Sequence, residues 1–225
     1  MPVAPASIHE IDLFAALSPA DLARVAGFMR EQQIPRKGGI LLEGARGDGF
    51  YYVQSGLVKV YRTSSAGREQ VLRLLGPGET FNDAPALDGG PNPASAAAME
   101  PSVVYILGQE HLHRLVREHP EVADAAIKRL SLALRHLVSV VGDLSFLHVK
   151  ARLAKALIEQ EQAIAEGRRA RYCTQQELAA ITGTTREIVA RALAAFEALD
   201  AVEIIKGRAR VVDRARLSAL LEPAA

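Results

Sequence analysis

The sequence holds one cysteine, Cys173, so a disulfide within the chain is impossible. A four-cysteine metal or iron–sulfur site within one chain is excluded with it. No run of about 18 apolar residues occurs, and the N-terminus, MPVAPASIHEIDLFAALSP, lacks a basic start followed by an apolar core. Membrane spanning and export are therefore not expected, and a reducing cytoplasm fits the cysteine usage. An excess of charge of one sign is also missing. The net charge is +1, with 13 Lys and Arg against 10 Asp and Glu from Val149 onward and 14 against 16 before it. A basic surplus that small does not by itself identify a nucleic-acid partner. At 49% hydrophobic and 24% charged, 225 residues have the composition of a folded chain with a sizeable core, long enough for one large domain or two.

What is present falls into three stretches. Ile8 to Arg30 reads as short helical pieces, with Ser18-Pro19 as a helix start. From Ile34 the pattern turns to short β-rich segments, ILLEG, GFYYVQSG, LVKVYRT, EQVLRLLG and SVVYILG, separated by glycine-containing turns. That spacing predicts a β-roll or barrel-like sandwich. Pro77 to Pro101 is rich in Pro, Gly and Ala and is expected to be an irregular wall or lid of a pocket. A short helix from Gln109 to Glu118 ends before Pro120.

The second stretch is a single long helix, Glu121 to Val149. Ile127, Leu130, Leu134, Leu137, Val141 and Leu144 alternate spacings of three and four, which makes one narrow seam suited to a partner helix. An ordinary core helix would also show such a seam. A flanking row, Ala126, Ala133, Val140 and Leu147, is placed to pack against the same chain.

The third stretch carries the chemistry. Lys150 to Ala165 reads as helix and Arg171 to Cys173 as a short strand. Thr174 opens a helix with Glu177 three residues on, the pattern of a capping box. Thr182-Gly183-Thr184 turns the chain, and Thr185 caps a second helix, REIVARALAAFEALD. Two short helices about a glycine turn make a helix-turn-helix, and VEIIKG and ARVVD read as a β-hairpin wing. Arg186, Glu187, Ala190 and Arg191 share the face opposite the buried Val189, Leu193 and Phe196. Arginine pairs with guanine O6 and N7, glutamate accepts from cytosine N4, and a small residue between them lets the helix approach base edges. A solvated charge pair is the competing reading of R-E-x-x-x-R alone, and the capped helix, the glycine turn and the basic hairpin around it favour base reading. Thr174, Gln176, Thr185, Lys206, Arg208 and Arg210 can donate to phosphates, although each taken alone reads first as an ordinary cap or surface charge.

TQQELAAITGTTREIVARALAAFEALDAVEII resembles the helix-turn-helix of the CRP/FNR family of bacterial regulators. VGDLSFLHVKARLAKALI resembles that family's central helix and hinge, and KGG, EG, YYVQSGLVKVYR, GRE and LGPGETF resemble its cyclic-nucleotide-binding-like roll. The resemblance runs from about Leu13 to Leu217. It implies an α+β chain: an N-terminal roll as effector domain (1–120), a long central dimerisation helix and hinge (121–148) and a C-terminal winged helix-turn-helix (149–225). It further implies a homodimer that binds and bends a double-stranded operator. RNA polymerase is a partner if the protein activates. Arg186, Glu187 and Arg191 are carried over as base readers, in a form closer to the CRP branch, whose half-sites resemble TGTGA.

The resemblance fails where a cyclic nucleotide would bind. Cyclic-AMP-binding members carry G-E-L, about eight residues, then R-S-A. Here Asp83, Ala84 and Pro85 stand in the G-E-L positions and Ala94 where the arginine belongs. A cyclic phosphate would lose its cation and meet a carboxylate. Leu137 and Val138 replace the polar residues that read the purine. Cyclic AMP is therefore not expected, and an iron–sulfur cluster lacks its cysteines. Haem is left open, with His9 or Pro2 as candidate ligands, and the Pro/Ala-rich segment resembles the nitric-oxide-responsive branch. The residues expected to line an effector pocket are Phe81, Asn82, Asp83, Ser95, Leu137 and Val138. His111 and His113 stand two apart on a helix and diverge, so no metal is assigned. His148, one step past Leu144 on the seam, is a candidate for pH sensitivity against the plainer reading of a polar hinge residue. A regulator with no small ligand, and a cupin-like enzyme with an accessory helical module, are the rival readings. The enzyme lacks a nucleophile–base pair or a metal-ligand set.

Overall fold

The computed structural model describes residues 8–167 and 172–221. The chain divides into two compact units: Met1–Tyr61 with Arg73–His136, and Arg62–Leu72 with Leu137–Ala225.

In the first unit a 3-10 turn, Asp12–Phe14, precedes helix α1, Pro19–Phe28. Ser18 caps α1 by accepting from the Asp21 amide, and Pro19, which has no amide proton to lose, takes the first helical position. Eight strands form two four-stranded sheets. One runs β1 (Met29–Ile34), β8 (Ser102–Gly108), β3 (Gly49–Ser55), β6 (Thr80–Phe81); the other runs β2 (Gly39–Leu41), β7 (Ser95–Ala98), β4 (Val58–Thr63), β5 (Glu69–Leu75). The end of β4 and the start of β5, within Arg62–Leu72, belong to the second unit. β3 is buried on both faces. Phe50 and Tyr52 point to a cluster with α1, the N-terminal turns, and helices α3 (Gln109–Glu118) and α4 (Pro120–Phe146). Tyr51 and Val53 point to the core shared with Leu75, Phe81, Ala96 and Ile106. A strand packed on both sides reads as a continuous apolar run, which is why GFYYV carries no alternation.

Pro77 to Pro101 is not the irregular lid expected from its composition. It contains β6, a short helix α2 (Asp83–Asp88) and β7, and Ala94 through Met99 are buried. Small side chains there let β7 lie between β2 and β4 as an interior strand. β1 likewise starts at Met29, within the stretch read as helical. Gly56, between β3 and β4, has φ +89°, and a Cβ there would stand 2.6 Å from Pro101 O and 2.7 Å from Ser102 Cα. Gly56→Ala is expected to cost about 2–3 kcal/mol through a left-handed backbone and this collision. Thermal unfolding should show the melting temperature lowered by roughly 5–10 °C.

The second unit holds, besides Arg62–Leu72 and the last turns of α4 from Leu137, the C-terminal helical domain. Helix α5 (Val149–Ala165) buries Leu153, Leu157 and Ile158; α6 (Gln175–Thr182) buries Leu178 and Ala179; α7 (Arg186–Glu197) buries Val189, Leu193 and Phe196. Both halves of the capping box at Thr174 and Glu177 are formed, and Gly183 ends α6 at φ 65°. The wing is β9 (Val202–Ile205) paired with β10 (Arg208–Val211) across Lys206 and Gly207, both at positive φ as a two-residue hairpin turn requires. Two side chains of α5 hold it in place: Gln160 Nε2 donates to Ala209 O at 3.5 Å, and Glu161 Oε1 accepts from the Val211 amide at 2.9 Å. Gln160 Oε1 also accepts from the Cys173 amide at 2.6 Å. The strand expected over Arg171–Cys173 falls partly outside the described residues; Tyr172 and Cys173 are irregular. A last helix, α8 (Arg214–Ala219), is capped by Asp213. Among the described residues no helix is long and apolar enough to cross a membrane.

Candidate nucleic-acid interface

Burial of Val189, Ala192, Leu193 and Phe196 fixes which side of α7 faces the core. The opposite side, at the N-terminal turns, presents Arg186, Glu187 and Arg191, all exposed, with half-buried Ala190 between them. The Glu187 carboxylate is held below its ordinary pKa by its own backbone N–H, then by the Thr185 hydroxyl and the nearby Arg186 and Arg191 guanidinium groups. Glu187 is thus an ionised, acceptor-only group at neutral pH, the state needed to receive the amino group of a cytosine. Thr185 stands at the N-cap of α7 without capping it; its hydroxyl is directed to Glu187 instead.

Apart from Thr185, the residues expected to hold phosphate lie in two concavities. Thr174, Gln176 and Arg186 meet Gln175 and Gly207 around a volume of ≈ 410 Å³. Lys206 and Arg208 meet Tyr172, Ile205 and Arg210 around ≈ 500 Å³. Reading the sequence alone misses Gln175 and Tyr172. Gln175 has a local signal, its place on the first turn of a capped helix, whereas Tyr172 has none. The Tyr172 hydroxyl donates to Glu161 Oε2 at 3.2 Å, and burial followed by that carboxylate raises its pKa.

On α4 the six seam residues Ile127, Leu130, Leu134, Leu137, Val141 and Leu144 are exposed, from 37% to 63%. The flanking row differs: Ala126 is buried, and Ala133, Val140 and Leu147 are half-buried. α4 ends at Phe146, and His148 is the N-cap residue of α5. His148 therefore does not continue the seam.

Of the residues expected around an effector, the four in the first unit already have partners. Phe81 is buried and stacks on Tyr51 at 5.0 Å. Asn82, at φ 65°, donates to Gly49 O at 3.0 Å, and Arg129 donates to Asp83 at 3.0 Å. Ser95 Oγ accepts from the Glu43 amide at 3.0 Å. Leu137 and Val138 belong to the second unit, where both are exposed. His111 stacks on Phe28 and His113 bonds Leu87 O, so the two histidines do go separate ways. His9 is exposed and Pro2 lies outside the described residues. Among the described residues no group of three His, Cys, Asp or Glu is placed to hold a metal ion.

A capped helix, a glycine turn, a second helix with a basic and acidic free face, and a β-hairpin wing, attached to a β-roll by one long helix, define a DNA-binding transcription regulator. Comparison with known proteins specifies which kind. Residues 31–119 match the cyclic nucleotide-binding domain and residues 151–220 the Crp-like helix-turn-helix domain. A cyclic AMP receptor protein of Thermus thermophilus is 34% identical over 211 residues, 93% of this chain and 94% of that protein. A CRP-like cAMP-activated global transcriptional regulator of Mycobacterium tuberculosis is 30% identical over 189 residues, 82% and 84% of the two chains. Among solved structures, the catabolite activator protein of Thermus thermophilus aligns at TM-score 0.54 with 32% identity, covering 93% of this chain and 98% of that one. FixK2 of Bradyrhizobium japonicum, at 23% identity, shares the fold, with TM-score 0.75 over 88% and 99% of the chains. The chain belongs to the CRP/FNR family of transcription regulators. Regulators of this family bind DNA and act as dimers.

Proposed function

We propose that the protein is a cytoplasmic homodimer that reads a palindromic operator with G·C-containing half-sites. The reading is carried by the free face of α7, where Arg186, ionised Glu187 and Arg191 stand together at the end of the helix that recognition helices present to base edges. Arg186 and Arg191 take guanine and Glu187 takes cytosine. Thr174, Gln176, Lys206 and Arg208 hold phosphates, and Thr185 combines a phosphate contact with the orientation of Glu187. The exposed apolar row of α4 is covered by the same row of a second copy, because an apolar stripe of this regularity is otherwise left in water. Residues 1–120 then act as effector domain, 121–148 as dimer helix and hinge, and 149–225 as DNA-binding domain. RNA polymerase is the further partner if the regulator activates.

The effector in this reading is not cyclic AMP. Ala94 supplies no cation for a phosphate, Asp83 would face it, and the guanidinium beside Asp83, that of Arg129, is bound to Asp83 itself. Selection of bound sequences from random duplex DNA tests the proposal. A palindrome with G·C pairs in each half-site is expected; binding without sequence preference would overturn it.

A further inference from the structure

The last carbonyls of a helix have no partner inside it, and a cation placed there also gains from the helix dipole. At the end of α6 two such carbonyls are taken by side chains from outside the helix-turn-helix. Arg152, on the first turn of α5, donates through Nε to Thr182 O at 2.9 Å and through Nη1 to Leu147 O at 2.6 Å. Leu147 is the residue whose amide still closes on Asp143 O at the end of α4. One guanidinium therefore spans the end of α4 and the end of α6. Lys155, also on α5, reaches Asp143 at 2.5 Å. Gln70, in the Arg62–Leu72 segment of the same unit, donates to Ile181 O at 3.2 Å. The turn that follows Thr182 leads directly to Arg186.

We infer that Arg152 is a positioning residue for operator recognition: by tying the end of α6 to the end of α4 it sets the spacing between half-sites that the dimer accepts. The inference rests on the proposed reading that two copies joined along α4 engage two half-sites. Along the chain, the free face of α7 is reached from the seam through α4, the Leu147–His148 joint, α5 and α6. Whatever fixes α6 to α4 therefore fixes where each recognition surface stands relative to the axis. Adding one base pair between half-sites moves one of them about 3.4 Å along the duplex and about a tenth of a turn around it. A stiff connection rejects that displacement and a loose one absorbs it. Arginine suits the task because its planar fork reaches two carbonyls in fixed relative geometry, which a lysine ammonium does not. A residue that only held the domain together would, when removed, weaken binding to all DNA alike.

The test uses the full-length protein and three duplexes: the selected operator, the same operator with one base pair inserted between half-sites, and a single half-site. The wild type should lose about 100-fold on the insertion, the low end of the avidity that unsuitable geometry forfeits. Arg152→Ala should lose only about tenfold on the insertion while keeping its single-half-site affinity within about threefold. Arg152→Lys should fall between them. Should Arg152→Ala lose its cooperative unfolding transition, Lys155→Ala and Gln70→Ala, which remove the neighbouring ties, carry the same expectation at smaller size. Equal weakening on all three duplexes, or an undiminished penalty for the insertion in the variants, overturns the inference. A wild type that binds the full operator no better than a half-site overturns the parent reading, and this one with it.

Discussion

Arg191→Ala should lower affinity by about 10- to 100-fold per half-site and relax the preference for guanine at one position in each, since a bidentate contact to a base carries about 1–3 kcal/mol of discrimination. Arg186→Ala should do the same at a different position. The physical ground is that both side chains are exposed on a helix whose other face is fully committed to the core, so removing either leaves the fold intact. Glu187→Gln provides the complementary result. A carboxylate held ionised by its own amide and by Thr185 accepts but does not donate, whereas an amide does both, so the variant should tolerate bases other than cytosine at its position. The wing behaves differently. Lys206→Ala and Arg208→Ala should weaken binding to all sequences evenly, with the salt dependence falling by about one phosphate contact per half-site. A titration series that finds Arg186→Ala and Arg191→Ala variants with the wild-type operator preference would remove base reading from α7.

The parts of this design that are legible in the sequence are those whose physics is local. Thr174 and Glu177 are three residues apart and bond each other, so the start of α6 can be read directly, as can the turn at Gly183, which needs positive φ. The face of α7 follows from the spacing of Val189, Leu193 and Phe196. The roll is legible as a class but not strand by strand. β7 is SAAA, with no β-branched or aromatic residue, and is a strand because β2 and β4 flank it. β1, MREQQI, is mostly polar and is held by β8 across its whole length. In both, tertiary pairing outweighs propensity. Asn82 at φ 65° is invisible because a non-glycine residue adopts that conformation only where its surroundings impose it, here through the bond to Gly49 O. Arg152 is invisible for a different reason: its partners lie 5 and 30 residues away, and both are backbone carbonyls, which carry no sequence signature. His148 reads as a continuation of the seam, and is not one, because periodicity does not announce where a helix stops.

Leu134→Glu should convert a dimer into a monomer and reduce affinity for the full operator by about 10²- to 10⁴-fold, the avidity lost when two binding units are no longer linked. Leu134 stands in the middle of the seam and is 63% exposed in the single chain, so the substitution does little to the isolated fold. In the dimer it would set two carboxylates against each other in an apolar contact, where burying an unpaired charge is far costlier than any gain from the neighbouring leucines. Leu132 supplies the control. It is 62% exposed, nearly as much as Leu134, yet at two residues' distance on a helix it points some 200° away from the seam. Leu132→Glu should therefore remain dimeric with unchanged operator affinity. Sedimentation across a concentration series, paired with operator titration, separates the outcomes. If Leu134→Glu stays dimeric, or if Leu132→Glu dissociates as readily, the subunits meet elsewhere and the seam is not the surface that brings two copies of α7 to one operator.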